Sequence, residues 1–311
     1  MDVLGFLINA PPQARVGGFS ATFAYLAGLA EQGHKVNLII AERTKAYNHQ
    51  GVHVTGAEWV WQFFDKADLV VSNHGDDRRL HRMAVNADKP SIRFVHGAHD
   101  AFIFNLTEFG EPTLTVFNSH SLAEHVGYTG PQMICHPILR LDDYATEPGD
   151  AVTLVNLTKP KGVELFDQLA RFLPHQPFLG VKGGYDKAHQ IIPWRPNVTV
   201  IDTTRNMRDD VYAKTRILLM PSDYETWGMT AVEAMCSGIP VIAAATPGLK
   251  ESLGKAGIFC DRKNLDAWIN AVEELEDPGQ YERNSMRCRA RAEELAIDDG
   301  FARFSKFVEE L

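Results

Sequence analysis

Leu218–Ala243 reads LLMPSDYETWGMTAVEAMCSGIPVIA. An apolar run ends at Pro221, and a polar loop follows with Ser222, Asp223, Tyr224 and Glu225. Gly228 comes next, then a helical stretch beginning near Met229, then Gly238-Ile239-Pro240 and a second apolar run. Strand, loop, glycine, helix and strand in that order make one β-α-β unit of a parallel sheet. Gly228 lets the backbone approach a ligand closely. The first amides of the helix, from Gly228 through Met229 and Thr230, lack internal partners and suit a phosphate or a sugar oxygen. Glu225 in the loop and Glu233 about one turn into the helix direct two carboxylates to one ligand, one to sugar hydroxyls and the other to a ribose diol. An isolated pair of glutamates is ordinarily a pair of solvated surface acids; the strand–loop–glycine–helix context is what favours the ligand.

The same alternation runs outward in both directions. Val3–Ile8, Val36–Ala41, Leu69–Ser72, Ser91–Val95, Leu114–Phe117 and Met133–His136 read as strands, with a helix at Phe19–Gln32. Acid, proline and glycine at Glu147-Pro148-Gly149-Asp150 make a linker. The pattern then restarts with strands at Val152–Asn156, Phe178–Lys182, Val198–Ile201, Ile217–Met220 and Ile239–Ala243. Helices are expected at Val163–Phe172, Arg208–Lys214, Met229–Cys236, Leu265–Leu275 and Tyr281–Glu294. Phe301, Phe304, Phe307 and Val308 recur at helical spacing, as a core-facing stripe does. The fold class is therefore α/β: two Rossmann-like α/β domains, residues 1–148 and 149–294, and a terminal helix over 295–311. Open sheets of this kind bind ligands at the carboxyl ends of their strands, so a cleft between the two domains is the expected site.

Composition narrows the class. The 311 residues are 45% hydrophobic and 23% charged, which excludes a disordered, fibrous or disulfide-built chain. The formal charge of −9 gives no global attraction to nucleic acid. Cys135, Cys236, Cys260 and Cys288 form no C-x-x-C pair, which argues against a zinc ribbon and fits reduced thiols in the cytoplasm. The opening MDVLGFLINAPPQ lacks the basic region of a signal peptide, and no apolar run is long enough to span a bilayer.

With these residues in hand, the chain resembles GT-B glycosyltransferases of family 4. Glu225 and Glu233 stand as E-x7-E, followed by Ala234 and Gly238-Ile239-Pro240-Val241. Pro11-Pro12-x4-Gly17-Gly18, Gly33-His34-x-Val36, Lys161-Gly162-Val163-Glu164, Thr246-Pro247-Gly248-Leu249-Lys250-Glu251 and Ala256-Gly257-Ile258 match further family motifs in the family's order. The resemblance implies a GT-B fold with the terminal helix packed back on the first domain. It implies that Glu233 holds the nucleotide ribose, and that Glu225 lies near the donor sugar hydroxyls. Gly228, Met229 and Thr230 would offer amides to sugar and phosphates. Lys161 would neutralise the diphosphate, on which Gly17 and Gly18 close. Family members carry an arginine shortly before the KG lysine; here that place reads Val155-Asn156-Leu157, and Lys159 or Arg205 stands as the substitute.

The chain has 12 histidines, ten of them before residue 146. His96, at the end of Ser91–Val95, resembles the family histidine beside the donor anomeric carbon; His74 and then His99 are the next candidates. No D-x-D motif is present, which agrees with a metal-independent site where Lys161 and helix amides replace the ion. The implied enzyme is a retaining hexosyltransferase without a cofactor, using a UDP- or GDP-sugar as co-substrate. Its acceptor would be a glycan, a lipid-linked sugar or a small molecule. His74, Arg78 and Arg82 are the acceptor candidates, because Arg78 and Arg82 share a helix face suited to an anion, a nucleic-acid backbone included. A hydroxylated DNA base as acceptor and a GT-B sugar-nucleotide epimerase stand as alternatives. Trp59, Trp61, Phe63 and Phe64 near Lys66 are a weak pattern for peripheral membrane contact and read better as core or cleft wall. A nicotinamide enzyme fails on the missing G-x-G-x-x-G.

Overall fold

The computed structural model describes residues 1–12, 17–41, 44–73, 78–97, 110–184 and 189–311, with the side chain of Arg78 also outside the description. The chain divides into two compact units, residues 1–138 with 298–311 and residues 139–297. The expected boundary at the Glu147–Asp150 stretch falls elsewhere for a physical reason. Gly149 N donates to Thr215 O at 3.1 Å and Thr146 N to Ser237 Oγ at 3.0 Å, so this stretch is fastened to the second unit. The helix Leu141–Tyr144 before it packs on that unit's core as well.

In the first unit the described strands form an eight-stranded sheet. They are β1 (Asp2–Leu7), β2 (Lys35–Ile40), β3 (Tyr47–His49), β4 (Val52–Gly56), β5 (Leu69–Asn73), β6 (Ser91–Val95), β7 (Leu114–Phe117) and β8 (Gln132–Ile134). Their order is β3-β4-β2-β1-β5-β6-β7-β8, and every pair is parallel except β3 with β4. Val3, Leu4, Leu38, Ile39, Val70, Val71 and Ile92 are all buried, as a sheet covered on both faces requires. The order reverses between β1 and β5, so the crevice of this sheet opens at their carboxyl ends. The terminal helix Gly300–Glu309 belongs to this unit. Phe304 and Val308 are fully buried, Phe304 meets Tyr25 edge-on at 5.2 Å, and Phe301 lies so close to Gly28 that a Cβ there would sit 2.4 Å from its ring.

The second unit holds a six-stranded, all-parallel sheet among its described residues. Its strands are β9 (Ala151–Val155), β10 (Phe178–Val181), β11 (Val198–Ile201), β12 (Thr215–Met220), β13 (Val241–Ala244) and β14 (Ile258–Cys260), in the order β11-β10-β9-β12-β13-β14. The reversal lies between β9 and β12. The loop carrying Lys161 follows one of these strands and the loop carrying Glu225 follows the other, which puts both at the switch point where open α/β sheets bind ligands. Two cores sandwich this sheet. One includes Leu218, Ala231, Met235 and Ile239; the other includes Leu154, Phe166, Leu219 and the fully buried Trp268.

Candidate functional site

Lys161 ends a short 3-10 turn, Lys159–Lys161, after β9. Gly162 follows with φ of +88°, and a Cβ at this position would lie 2.5 Å from Pro221 Cγ and 2.8 Å from Pro221 O. Only glycine allows both the left-handed turn and the close approach of the two loops. Asp223 N donates to Pro160 O at 2.8 Å, which closes the loops on each other. The Lys161 ammonium bonds to Glu225 Oε1, and Ser222 Oγ donates to the same oxygen at 2.9 Å. The Lys161 and Glu225 side chains retain 22% and 13% of their exposure, so the pair is largely shielded from water while open on one side. An ammonium carries three N–H donors, so it can hold Glu225 and a bound anion together.

Gly228 stands at the N-cap of the helix Met229–Cys236 with φ of +86°, and having no side chain it leaves the helix start without a side-chain cap. Its first amides are thus left for a ligand. Glu233 lies on this helix, partly exposed as a residue but with its carboxyl set deep among protein atoms. Burial pushes its pKa up to about 7, against the downward pull of hydrogen bonds from Tyr212 and Tyr144. Tyr212 Oη donates to Glu233 Oε2 at 2.5 Å, and the two phenol rings meet edge-on at 6.3 Å. Burial and the neighbouring carboxylate hold the Tyr212 hydroxyl protonated far above its usual range, so it is a permanent donor to Glu233.

The place of the expected arginine is taken by Asn156, buried, with φ of +72°. Gln190 Nε2 donates to its Oδ1 at 3.0 Å, and Gln190 Oε1 accepts from Gly183 N at 3.0 Å. A neutral amide network therefore stands where a guanidinium was sought. Lys159 is paired with Glu164 at 3.0 Å on the surface. Arg205 is exposed on the loop after β11, and among the described residues no hydrogen bond or ion pair engages it. Lys161 is the cation that the fold sets beside Glu225.

In the first unit, Gly17 and Gly18 open the helix Gly17–Glu31 after β1. Among the described residues, a Cβ at Gly17 would meet nothing within 4 Å. Gly18 O accepts from Thr22 Oγ1 at 3.2 Å and from Asn73 Nδ2 at 3.3 Å. His96, just past β6, bonds through Nε2 to Thr22 Oγ1 at 2.8 Å and stacks on Phe94 at 6.0 Å. The glycine turn, the end of β5 and His96 are thus one hydrogen-bonded group. His74 and His99 lie outside the described residues. Arg79 and Arg82 are exposed on the helix Arg78–Asn86. His81 on the same helix is buried, bonded to Gly110 O at 2.9 Å, and its pKa is pushed down by burial, which marks it as structural. All four thiols are buried, and burial pushes Cys135, Cys236 and Cys288 up to about 12, so these three are poor nucleophiles.

Sequence reasoning passed over Thr22, Asn73, Tyr144 and Tyr212. Each acts through a partner brought close only by the sheet order, and none carries a motif. Ser222, already placed in the loop of Glu225, bonds to it locally.

The family model for glycosyl transferases group 1 matches residues 185–293. The D-inositol 3-phosphate glycosyltransferase of Mycolicibacterium smegmatis is 26% identical over 241 residues, 74% of this chain and 50% of that protein. The chain thus spans about half the length of this relative. Among solved structures, HepE of Anabaena in complex with UDP-glucose matches with a TM-score of 0.79 at 15% identity, over 99% of both chains. Sucrose-phosphate synthase from Thermosynechococcus elongatus matches with a TM-score of 0.78 at 15% identity, over 99% of this chain and 98% of that one.

Proposed function

We propose, on the premise that this chain is a GT-B glycosyltransferase in fold and in its match to the group 1 model, that it moves a hexose from a UDP- or GDP-sugar to an acceptor hydroxyl with retention and without a metal. The observation that carries this reading is the Lys161–Glu225 pair at the switch point of the second sheet, with the capless helix start at Gly228 and Glu233 beyond it. Glu233 accepts from the ribose hydroxyls. The Lys161 ammonium and the amides of Met229 and Thr230 receive the diphosphate. Glu225 orients the sugar hydroxyls. The acceptor oxygen attacks the anomeric carbon as the bond to the phosphate oxygen breaks. The acceptor proton passes to the departing phosphate, and the sugar keeps its configuration. Negative charge grows on the diphosphate along this path, so a fixed ammonium stabilises the transition state more than the ground state.

The acceptor is a glycan, a lipid-linked sugar or a small hydroxylated molecule, and the name of the Mycolicibacterium smegmatis relative, D-inositol 3-phosphate glycosyltransferase, is in line with the last of these. The test is an anomeric NMR assay of the purified chain with UDP-glucose and GDP-mannose, an acceptor panel and added chelator. An α-linked product from the α-donor, formed equally with chelator, is the expected result. A β-linked product overturns retention. Loss of turnover with chelator overturns metal independence, and donor conversion with no acceptor consumed overturns transfer.

A further inference from the structure

The residue that ties the donor site together lies on neither of its two loops. Arg262 sits in the turn after β14, where Trp268 Nε1 donates to Asp261 O at 2.9 Å and so roots the turn in the buried core. Its guanidinium uses all three nitrogens. Nε donates to Pro221 O at 2.7 Å, at the end of β12. One terminal nitrogen donates to Lys159 O at 2.7 Å, in the turn that carries Lys161. The other pairs with the Asp223 carboxylate, two residues before Glu225. Three chain segments that are separate in sequence are thereby held by one planar fork.

We propose that Arg262 is a positioning residue of the donor site, which sets the Lys161 ammonium and the Glu225 carboxylate at the separation that a nucleoside diphosphate sugar requires. The proposal rests on the transferase reading above. Two backbone carbonyls and a carboxylate arranged around one group demand fixed donors in a plane, which guanidinium provides. Lysine is a single point charge without that geometry, so it cannot serve all three. The side chain is about one-third exposed, so the latch lies at the rim of the unit and not in its core. Its loss should therefore loosen the two loops before it unfolds the unit.

The test uses the full chain. Thermal-shift titration with UDP, GDP and ADP selects the nucleotide, and calorimetry gives its Kd for the parent, Arg262→Ala, Arg262→Lys and Arg216→Ala. Arg216 is the control, because it donates to Leu275 O at 3.0 Å and covers Tyr281 near the other end of β12. Arg262→Ala should weaken nucleotide binding about tenfold, the scale of one lost charged hydrogen bond. Millimolar guanidinium ion should restore most of that loss, because the vacated place opens to water. Arg262→Lys should bind weakly and show no rescue, and Arg216→Ala should bind like the parent. Rescue separates positioning from general destabilisation, which added guanidinium does not repair. Arg262→Ala binding as tightly as the parent, or Arg216→Ala losing as much affinity, overturns the latch and leaves the transferase reading standing. A parent chain that binds none of the three nucleotides overturns both.

Discussion

Glu233 is held by opposing forces whose balance is measurable. Its folded pKa is about 7, against an ordinary value of 4.5. Between those two values the folded chain binds a proton that the unfolded chain has released, so stability falls as pH rises through this window and stays low above it. Glu233→Gln removes the titrating group. Its unfolding free energy from urea titration should exceed the parent's by about 1–3 kcal/mol at pH 8 and approach it at pH 5. A ribose diol donates to the carboxylate, so nucleotide affinity should run the other way. It should tighten by about tenfold from pH 6 to pH 8 in the parent, with a flatter profile in the glutamine variant. Lys161 contributes through charge. Lys161→Ala should lower kcat/KM for the donor by about 10²–10³, since it removes a preorganised group from the growing charge on the leaving diphosphate.

At the scale of elements, the site depends on two glycines that bend strand ends into helix starts. Gly228 has φ of +86°, and a Cβ there would lie 2.6 Å from Leu249 Cδ2. Gly228→Ala should cost about 1–3 kcal/mol in denaturant unfolding, from the left-handed backbone together with the displaced leucine. Most of these elements were legible in the sequence, because parallel strands buried on both faces are short apolar runs and Ser91–Val95 and Leu114–Phe117 stand where such runs stand. The β3–β4 hairpin was not. Its strands carry Asn48, His49 and His53, and its turn is Gln50-Gly51, both with positive φ, where Asn-Gly is the usual signal. The expected helix Arg208–Lys214 is a short helix, Met207–Asp210, followed by a 3-10 turn, Tyr212–Lys214, that buries Tyr212 and aims its hydroxyl at Glu233. The placement of Glu225 and Lys161 in loops after strands and of Glu233 on the following helix was readable from local motifs. The contacts of Tyr144, Tyr212 and Arg262 were not, since they form only once segments 21 to 103 residues apart meet.

At the scale of the molecule, the chain passes from the first unit to the second after residue 138 and returns after residue 297. The returning helix is part of the first unit's core, so the last residues in sequence complete the first sheet's packing. Phe304→Ala should destabilise that unit by about 3–5 kcal/mol and raise amide exchange in β1 and β6, while exchange in β9 and β12 stays unchanged. The switch point between β9 and β12 carries the residues assigned to the nucleotide, and that assignment resides wholly in the second unit. The most direct test of that assignment is calorimetric titration of the full chain with UDP, GDP and ADP at pH 8, beside Glu233→Ala. At least one nucleotide should bind the parent, and the variant should lose most of that affinity. No binding by the parent, or equal binding by Glu233→Ala, would contradict the account.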